Sequence, residues 1–522
     1  MPSLSALAKR PFDERRYLPV AWFGLFAERR GAEPPRPPTE VPEPPTWRAS
    51  VDRVTYETAV ARIREAIAAG DTYQVNHTFR LRATLGRDDR ELYRDLALAQ
   101  RGAYAAYLNL GRYRICSASP ELFFRLDGNR ITTRPMKGTA PRGRWLEEDE
   151  EAARRLAASP KDRAENAMIV DLLRNDLGRI SVPGGVAWDQ LFRVERYETV
   201  WQLTSTITAE LRPDVDLVGI FRALFPSGSV TGAPKVSTMR LTAELEDSPR
   251  GVYCGAVGYL APPDADAPRA RFNVAIHTAV VDVETGIAEY GVGGGVTFDS
   301  SAATEYEEAL AKARVLGPRP AFALFETLRF EPSTGFADLA EHLGRLAASA
   351  AYFGFPFDRD AALAALGAAV GEEPARVRLV LERDGTCSTE LGPLPPAPSG
   401  PVRVALDEEP VDPADVWLYH KTTRREPYER RRRRRPDVED VVLTNVLGEV
   451  TETTIANLAV RLDGAWVTPP REAGLLPGTL RERLLREGRL RERRVRIEEA
   501  RAAEALALVS SVRGWREAVL VP

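Results

Sequence analysis

Two lysines lie in stretches of sequence that could support covalent chemistry. Lys137 lies within residues 135–143 (P-M-K-G-T-A-P-R-G), a run rich in glycine and proline. Lys421 follows Tyr419-His420 and precedes a strongly basic run. A lysine amine can act as a covalent nucleophile or form a Schiff base with a carbonyl. Because most lysines are solvated surface charges, each of these two needs partners elsewhere in the chain.

Three further segments could contact an anionic substrate. Ser119-Pro120-Glu121 opens a predicted strand, and residues 226–235 (P-S-G-S-V-T-G-A-P-K) form a small-residue loop that runs into a helix. Backbone N–H groups of such a loop and a helix N-terminus suit a carboxylate. Residues 291–296 contain three consecutive glycines, where a ligand could touch bare backbone. Each segment alone could equally be an ordinary turn.

Acidic residues on two predicted helices are candidates for a metal site. Glu305, Glu307 and Glu308 share one helix, and Glu165 opens another beside Asp162. Carboxylates from separate helices commonly bind Mg²⁺ and leave positions for water and substrate oxygen. The chain has only four histidines, which favours carboxylate ligands and Mg²⁺ over zinc or copper. Taken alone, the same residues would be interpreted as charged helix faces.

Composition and charge exclude several classes of protein. With 44% hydrophobic residues, 28% charged residues and a net charge of −3, the 522-residue chain is typical of a globular protein without affinity for nucleic acid or an anionic membrane. The three cysteines are scattered and never form C-x-x-C, which indicates reduced thiols. The apolar stretch at residues 17–26 is too short to span a bilayer. We therefore expect a cytoplasmic protein.

The predicted elements divide the chain into two halves that mix helices and strands. The spacing of Tyr56, Val60, Ile63 and Ile67 predicts an amphipathic helix that stops at Gly70. Further helices are predicted at residues 164–177, 235–245, 301–316 and 339–353, with strands around the turn at 127–129, over 252–296 and at 322–330. The composition changes at residues 317–320. We predict domains at 55–316 and 321–522, after a segment at 1–54 that contains a proline-rich spacer at 34–45.

The motifs of the first half closely resemble those of the chorismate-utilising enzymes, a family that includes anthranilate, isochorismate and aminodeoxychorismate synthases. The resemblance covers residues 55–316, and a chance match of so many ordered motifs is implausible. It is carried in order by Tyr73-Gln74-Val75-Asn76, Ser119-Pro120-Glu121, residues 135–143, residues 169–176 (I-V-D-L-L-R-N-D), the loop at 226–235, residues 250–255 (R-G-V-Y-C-G) and Glu305-Tyr306-Glu307-Glu308. The resemblance implies an α+β fold with a large β-sandwich and helices, a dependence on Mg²⁺, and chorismate as the substrate.

The resemblance also implies roles for individual residues. Glu121 would protonate the departing hydroxyl, which requires a raised pKa. Glu165 and Glu308 would bind Mg²⁺, with Glu305 as a further candidate. The substrate would be contacted by Gln74, Thr231, Gly232, Lys235, Tyr253, His277, Gly293, Gly294 and Gly295.

Two positions bear on the expected product. Relatives that add water have a lysine base where this chain has Gln74, and an amide cannot deprotonate water. Lys137 stands where anthranilate synthases typically have alanine. In the aminodeoxychorismate branch such a lysine attacks ring C2 and is then displaced by ammonia at C4, which implies the para product. Two departures weaken the match, because Gln202 stands where many relatives have histidine and His277 where arginine is usual.

The second half resembles the fold-type IV pyridoxal-phosphate enzymes, which include branched-chain and D-amino-acid aminotransferases and aminodeoxychorismate lyase. The match covers residues 322–514 and implies an α/β domain of the aminotransferase-like type. It implies that Lys421 binds the cofactor aldehyde and Glu452 its pyridinium nitrogen. The phosphate would be bound by Arg345, Thr479 and backbone groups near Ile455, and Thr327 would face the substrate. We interpret the six arginines at 430–435 as a solvated helix face.

Together the two resemblances imply a bifunctional enzyme that makes 4-aminobenzoate for folate from chorismate and ammonia. The fusion itself favours a lyase in the second half, although an aminotransferase would need the same opening step. A third reading treats one half as a degenerate regulatory or scaffold module. No G-x-C-x-G turn surrounds any cysteine, so we expect a separate glutaminase subunit to supply ammonia. A homodimer through the second domain is a further expectation.

Overall fold

The computed structural model describes residues 18–31, 33, 35–36, 44–263, 265, 267–317, 321–396 and 400–522. They form two compact units. One contains the described residues up to Arg142 and Ala152–Ala321, and the other contains Gly143–Glu151 and Phe322–Pro522. The first predicted domain, 55–316, includes Gly143–Glu151, whereas the structure places these residues in the second unit. The predicted boundary at 317–320 and the spacer at 34–45 lie largely outside the described residues.

The first unit contains two antiparallel seven-stranded sheets and most of the first seven helices. The helices are α1 (Arg53–Ala68), α2 (Asp89–Gln100), α3 (Leu146–Ala158), α4 (Pro160–Gly178), α5 (Leu217–Leu224), α6 (Lys235–Leu245) and α7 (Ala302–Ala311), with 3₁₀ turns at Gly228–Val230 and Lys312–Leu316. The strands are β1 (Arg48–Ala49), β2 (Gln74–Thr84), β3 (Ala106–Leu110), β4 (Tyr113–Ser117), β5 (Leu122–Asp127), β6 (Arg130–Arg134), β7 (Met136–Pro141), β8 (Ser181–Arg196), β9 (Val200–Leu211), β10 (Gly232–Ala233), β11 (Ala256–Leu260), β12 (Ala270–Val274), β13 (Thr278–Asp282) and β14 (Ile287–Val296).

Each sheet of this unit carries part of the motif set. The first sheet has the order β1-β2-β14-β13-β4-β3, with β10 paired to β2. The second has the order β11-β12-β5-β6-β9-β7, with β8 paired to β9. The glycine-rich end of β14 pairs with the start of β2, so that Gly295 lies opposite Asn76. The motif segments at 73–76, 231–233 and 291–296 are therefore neighbours in one sheet.

The predicted helices of this unit are confirmed, and their apolar faces explain their placement. Helix α1 begins after Asp52, whose side chain accepts a hydrogen bond from Thr55 N, and it buries Tyr56, Val60 and Ile63 in the core of the first sheet. Helix α4 begins with Ser159 as its N-cap and a proline at its start, and it packs Ile169 and its apolar neighbours in the core of the second sheet. The chemistry-bearing loops are therefore attached to two rigid layers.

The second unit contains a four-stranded and an eight-stranded sheet. Its helices are α8 (Leu339–Phe353), α9 (Arg359–Ala369), α10 (Glu426–Arg434), α11 (Thr479–Arg486) and α12 (Ile497–Arg501), with 3₁₀ turns at Val416–Tyr419 and Arg471–Ala473. Its strands are β15 (Leu324–Glu331), β16 (Gly335–Phe336), β17 (Ala375–Leu381), β18 (Cys387–Gly392), β19 (Val402–Leu406), β20 (Asp440–Thr444), β21 (Val450–Thr453), β22 (Asn457–Leu462), β23 (Ala465–Thr468), β24 (Arg491–Glu492), β25 (Ala505–Ser510) and β26 (Gly514–Leu520).

The two sheets of this unit differ in their strand directions. The order β16-β15-β17-β18 is antiparallel throughout. The other sheet is mixed, with the order β21-β20-β19-β26-β25-β22-β23-β24 and an additional pairing of β21 with β22 that closes six strands into a ring. The arginine run lies on α10, where Arg431 is buried against Asp407 and its neighbours are exposed. None of the described helices is long and apolar enough to cross a membrane.

The core of the second unit offers a direct stability test. Leu343 of α8 is fully buried among the apolar side chains of the four-stranded sheet. We expect Leu343→Ala to lower the free energy of unfolding by about 2–5 kcal/mol, because the truncation removes buried area and leaves a cavity. Urea denaturation measures this change. Leu363→Ala on α9, where the side chain is 37% exposed, is the control and should cost much less; equal costs would contradict this packing.

Candidate active sites

The first candidate site, the Lys137 site, is centred on a lysine held by strand β7. Asn166 of α4 donates a hydrogen bond from Nδ2 to the backbone oxygen of Lys137 (2.9 Å), and Ser205 donates to Asn166 Oδ1 (2.6 Å). Gly138, at a φ of 98°, turns the chain directly after the lysine. Burial lowers the pKa of the Lys137 amine from its usual value. The lysine is thus fixed at its backbone and partly desolvated at its amine.

Two side chains converge on the bare backbone of Gly295. A Cβ built on Gly295 would lie 2.3 Å from Lys137 Nζ and 2.2 Å from Gln74 Nε2. Gln74 is 2% exposed, and its Oε1 has no hydrogen-bond partner among the described residues. A side chain at position 295 would therefore push the ends of Lys137 and Gln74 away from this point. The structure brings together three residues that the sequence analysis names separately.

Carboxylates surround the amine of Lys137. Glu165 Oε2 lies 3.7 Å from Lys137 Nζ. Glu308 forms an ion pair with Lys312 (3.0 Å), and Glu305 accepts a hydrogen bond from Ser300 (2.7 Å). The pKa of Glu308 is lowered chiefly by the charge of Lys312, whereas burial raises the pKa of Glu305.

These carboxylates match Mg²⁺ in donor type but do not form a complete metal cage. Within the described ranges, no group of three or more histidine, cysteine or acidic side chains could hold a metal ion. Glu165 and Glu308 instead pair with lysines. A magnesium ion held by these two residues would have to take its remaining ligands from water and substrate.

Glu121 has the protonation behaviour of a general acid. Its side chain is 3% exposed and accepts a hydrogen bond from Ser229 Oγ at 2.6 Å. Burial raises the pKa of Glu121 to about 7, although Ser229 and Lys137 both oppose this rise. The strand predicted to begin at Ser119 begins only at Leu122, so Glu121 lies at the strand's entry. The group can hold a proton near neutral pH.

The other predicted substrate contacts divide into two sets. Gly293 and Gly294 of β14 pair with Thr78 and His77 of β2, and Lys312 donates to Gly293 O (2.9 Å). Tyr253 is buried with its ring against Gly291. Three residues are engaged within the protein: Lys235 pairs with Asp176 (2.6 Å) and donates to Leu224 O, Thr231 Oγ1 donates to Ser227 O, and Gly232 approaches Gln74 O so closely that a Cβ would lie 2.1 Å from it.

His277 and Gln202, the two departures from the family pattern, each have hydrogen-bond partners within the protein. His277 Nδ1 lies 2.8 Å from Gln100 Nε2 and 3.1 Å from the Tyr290 hydroxyl. Burial lowers the pKa of His277 to about 4, so the ring is neutral at pH 7 and supplies no cation. Gln202 Oε1 accepts a hydrogen bond from Thr139 Oγ1 (3.1 Å). The cation beside the glycine strand is Lys312, which sequence reasoning missed although it lies four residues after Glu308.

The second candidate site, the Lys421 site, is centred on a lysine beside strand β15. Phe325 N donates to Lys421 O (3.1 Å), and Thr423 N donates to Ala323 O (2.9 Å). The Lys421 amine lies 4.9 Å from the centre of the Phe325 ring. Burial and, to a lesser extent, the nearby charge of Arg345 lower the pKa of Lys421 to about 8. A substantial fraction of this amine is therefore neutral near pH 8.

Glu452 of β21 is a buried carboxyl without an ion pair in the described chain. Its hydrogen bonds from Leu476 N, Asn457 Nδ2 and the Tyr428 hydroxyl are long, at 3.3–3.5 Å. Burial raises the pKa of Glu452 to about 8. A buried carboxyl of this kind gains most from a cationic N–H partner. It therefore fits the pyridinium nitrogen of pyridoxal phosphate.

Arg345 and Thr479, the predicted phosphate ligands, belong to one network around Glu326. Arg345 donates from Nε and Nη2 to the two oxygens of Glu326 (2.8 and 2.7 Å) and from Nη1 to Pro477 O. His342 Nδ1 lies 2.7 Å from Glu326, and its Nε2 lies 3.2 Å from Thr479 Oγ1. Burial alone would raise the pKa of Glu326, but Arg345 and His342 hold this pKa well below its usual range.

Two of the five N–H groups of Arg345 remain for a phosphate. Thr479 is the first residue of helix α11, and N–H groups in the first turn of a helix can donate to an anion. Ile455, whose side chain is 38% exposed, lies in the turn that joins Thr453 to Ala456.

Strand alternation separates the two faces of β15. Thr327 and Phe325 share one face, and Glu326 points to the other. Arg378 of β17 lies opposite Thr327, and its guanidinium stacks 4.3 Å from the centre of the Phe325 ring. Its Nε has no hydrogen-bond partner among the described residues. Arg378 is a candidate carboxylate ligand that sequence reasoning missed, because only the strand register brings it to this face.

Two family models match successive parts of the chain. Residues 12–318 match the chorismate binding enzyme family. The chain belongs to that family. Residues 323–521 match the class IV aminotransferases, so a second enzyme domain follows the first in the same chain.

The similar proteins include aminodeoxychorismate synthases and an anthranilate synthase component. An aminodeoxychorismate synthase of Streptomyces griseus is 41% identical over 57% of this chain and 41% of its own length. Component 1 of the Salmonella typhimurium aminodeoxychorismate synthase is 39% identical over 57% of this chain and 65% of its own. The solved anthranilate synthase component I of Streptococcus pneumoniae is 32% identical, covers 52% of this chain and 60% of its own, and has a TM-score of 0.48. The chain thus spans between two fifths and two thirds of these proteins.

The approach of Lys137 and Gln74 to Gly295 can be tested by adding one methyl group at position 295. We expect Gly295→Ala to displace Lys137 and Gln74 and to reduce turnover of the first unit about 10²-fold, because small misplacements of a reacting group are costly. The rate of chorismate consumption measures this effect. Gly178→Ala, at the end of α4 with open space around it, is the matched control and should retain the full rate. A fully active Gly295→Ala variant would show that the amine does not act there.

Proposed function

We propose that this chain converts chorismate and ammonia into 4-aminobenzoate in two steps, an amination at the Lys137 site and an elimination of pyruvate at the Lys421 site. The observation that carries the proposal is the meeting of the partly desolvated Lys137 amine and Gln74 above Gly295. The high identity to aminodeoxychorismate synthases over the same residues supports it. The class IV aminotransferase domain that follows supplies the second site.

In the first step, the neutral amine of Lys137 attacks ring C2 of chorismate. The ring double bonds shift and the C4 hydroxyl leaves as water with the proton of Glu121, whose pKa of about 7 allows it to carry that proton. Ammonia then bonds to C4, the double bonds shift back and the C2–Nζ bond of Lys137 breaks. The nitrogen bonded to C4 gives up one proton, which restores the protonated Glu121, so the net change exchanges ammonia for water. The product carries its amine para to the ring carboxylate because C4 lies opposite C1.

Gln74 distinguishes ammonia from water as the incoming nucleophile. Its buried Oε1 can accept a hydrogen bond from an N–H of ammonia and cannot remove a proton from water. Glu165 and Glu308 would hold Mg²⁺, which would neutralise the ring carboxylate, with Glu305 beside them. Lys312 donates to the backbone oxygen of Gly293 in the same strand and would add a positive charge for the substrate anion.

In the second step, the residues of the Lys421 site hold the cofactor and move one proton. Pyridoxal phosphate, when bound, would supply an electron sink conjugated to the substrate amine. Glu452 would hold the pyridinium N–H, and Arg345, Thr479 and the backbone near Ile455 would bind the phosphate. Lys421, freed by the substrate amine, would take the proton from C4, after which aromatisation drives the loss of pyruvate. Thr327 and Arg378 would face the substrate.

The proposed enzyme needs a source of ammonia and would act in folate synthesis. We propose a separate glutaminase subunit as that source, a cytoplasmic location, and dimerisation through the second unit. The lyase assignment rests on the product of the first unit, which is the substrate that a lyase would consume.

The identity of the aromatic product tests the proposal. Purified chain supplied with chorismate, ammonium, Mg²⁺ and pyridoxal phosphate should release 4-aminobenzoate and pyruvate in equal amounts, measured by chromatography and mass spectrometry. Lys137→Ala should abolish the para product because ammonia cannot reach C4 by this route. Formation of the ortho amine by the wild-type chain would contradict the role of Lys137. Exchange of amino groups with 2-oxo acids, without 4-aminobenzoate, would instead assign an aminotransferase.

The second step is tested by removing its lysine. Lys421→Ala should abolish the visible absorbance of the bound cofactor and let aminodeoxychorismate accumulate, because the C4 proton then has no acceptor. Both quantities can be measured in one spectrophotometric and chromatographic experiment. Lys161→Ala on α4, where the lysine is exposed, is the matched control. Unchanged 4-aminobenzoate output from Lys421→Ala would refute the assignment.

Glu121 makes the amination rate depend on pH. Because burial raises the pKa of this carboxyl to about 7, its protonated form is present below that pH and is lost as the pH rises through it. The kcat for amination should therefore fall above about pH 7, and Glu121→Gln should lower kcat about 10²-fold or more. A pH–rate profile that keeps rising through pH 7 to 9 would contradict a general-acid role.

A further inference from the structure

Nine residues from the first half of the sequence close over the backbone that precedes Lys421. The backbone oxygen of Arg144 lies 3.1 Å from His420 Nε2, and the Tyr352 hydroxyl donates to Gly143 O (2.6 Å). Trp145 packs against Tyr419 with 5.0 Å between ring centres. The second unit therefore includes Gly143–Glu151 as part of its own packing.

The contact with Arg144 fixes the ring of His420. A backbone carbonyl only accepts hydrogen bonds, so His420 Nε2 must carry the proton. In the neutral ring, Nδ1 is then an acceptor, and Ser349 Oγ lies 2.9 Å from it. The ring is held further by Tyr352 and Phe353, at 4.5 and 4.6 Å between ring centres. His420 is 6% exposed and has one permitted orientation. Its successor in the chain is Lys421.

Hydrogen bonds within the segment Gly143–Glu151 fix its backbone. Gly143 N donates to Asp149 Oδ1 (2.9 Å), and Arg144 N donates to Glu148 Oε2 (2.7 Å). A Cβ on Gly143 would lie 2.2 Å from Asp149 N, so only glycine fits at this position. These hydrogen bonds hold Trp145 against Tyr419, a residue that is 1% exposed. The segment thus offers a preformed surface to the residues beside Lys421.

We propose that Gly143–Glu151 is a positioning element of the Lys421 site, which orients His420 and thereby the amine of Lys421. The second half of the sequence is then incomplete as a pyridoxal-phosphate unit without residues supplied by the first half. This inference rests on the proposed function, because the site it serves is that of the elimination step. The residues concerned are positioning residues, since none of them touches the reacting atoms.

Three full-length variants test the proposal. Gly143→Ala and Trp145→Ala should lower kcat for elimination of supplied aminodeoxychorismate about 10²-fold at saturating cofactor, because the lysine amine is displaced. Tyr352→Phe removes one hydrogen bond and should lower kcat about 5-fold. Each variant should also shift the visible absorbance maximum of the bound cofactor and weaken its affinity, measured by titration of the apoenzyme. Trp145→Phe, which keeps an aromatic ring against Tyr419, should restore most of the activity.

The controls separate this role from general damage and from failure of the proposed function. Trp188→Ala and Tyr259→Phe change residues of the same types in the other unit, at partly exposed positions, and should leave the cofactor spectrum unchanged. Wild-type spectra and elimination rates in all three test variants would overturn the proposal. A parallel loss of amination, elimination and thermal stability would overturn it too, because that pattern indicates unfolding. If Lys421→Ala still forms 4-aminobenzoate, the proposed function itself fails.

Discussion

The structure depends on keeping two lysine amines partly out of water. An exposed lysine is protonated at neutral pH and has no electron pair to offer. Burial lowers the pKa of both Lys137 and Lys421, to about 8 for the latter. Each amine is also surrounded by carboxylates that favour its charged form, so its protonation is set by a balance rather than by burial alone. The two unrelated folds of the chain solve this one electrostatic problem in different ways.

The surroundings that set the protonation of the lysine differ between the two units. Around Lys137, a strand without side chains at Gly295 allows the amine and Gln74 to approach bare backbone. Around Lys421, the ring of Phe325 packs near the amine, and the guanidinium of Arg345 offsets the carboxylate of Glu326. The charged side chains around Lys421 form a buried network, and such a network is costly unless every partner is present. This explains why Arg345 is held on two sides before any phosphate is bound.

The sequence predicts the fold well because helix periodicity and turn residues are local signals. The spacing of Tyr56, Val60 and Ile63 and the turn at Gly128 correspond to observed elements. The lysines and Glu121 could be named from motif order. Lys312, Arg378 and the placement of Gly143–Glu151 could not, because strand register and long-range packing determine their surroundings. Lys235 is named by its motif, yet its charge is satisfied by Asp176, which no spacing rule reveals.

Burial lowers the pKa of both lysine amines and so increases the fraction that is neutral and nucleophilic. Competitive acetylation of the whole protein across a pH series, read for each lysine by peptide mass spectrometry, gives the pKa of both amines directly. We expect a midpoint near pH 8 for Lys421 and a midpoint for Lys137 below that of the exposed Lys161 measured in the same sample. Midpoints for all three lysines at the ordinary value of about 10.4 would contradict this expectation.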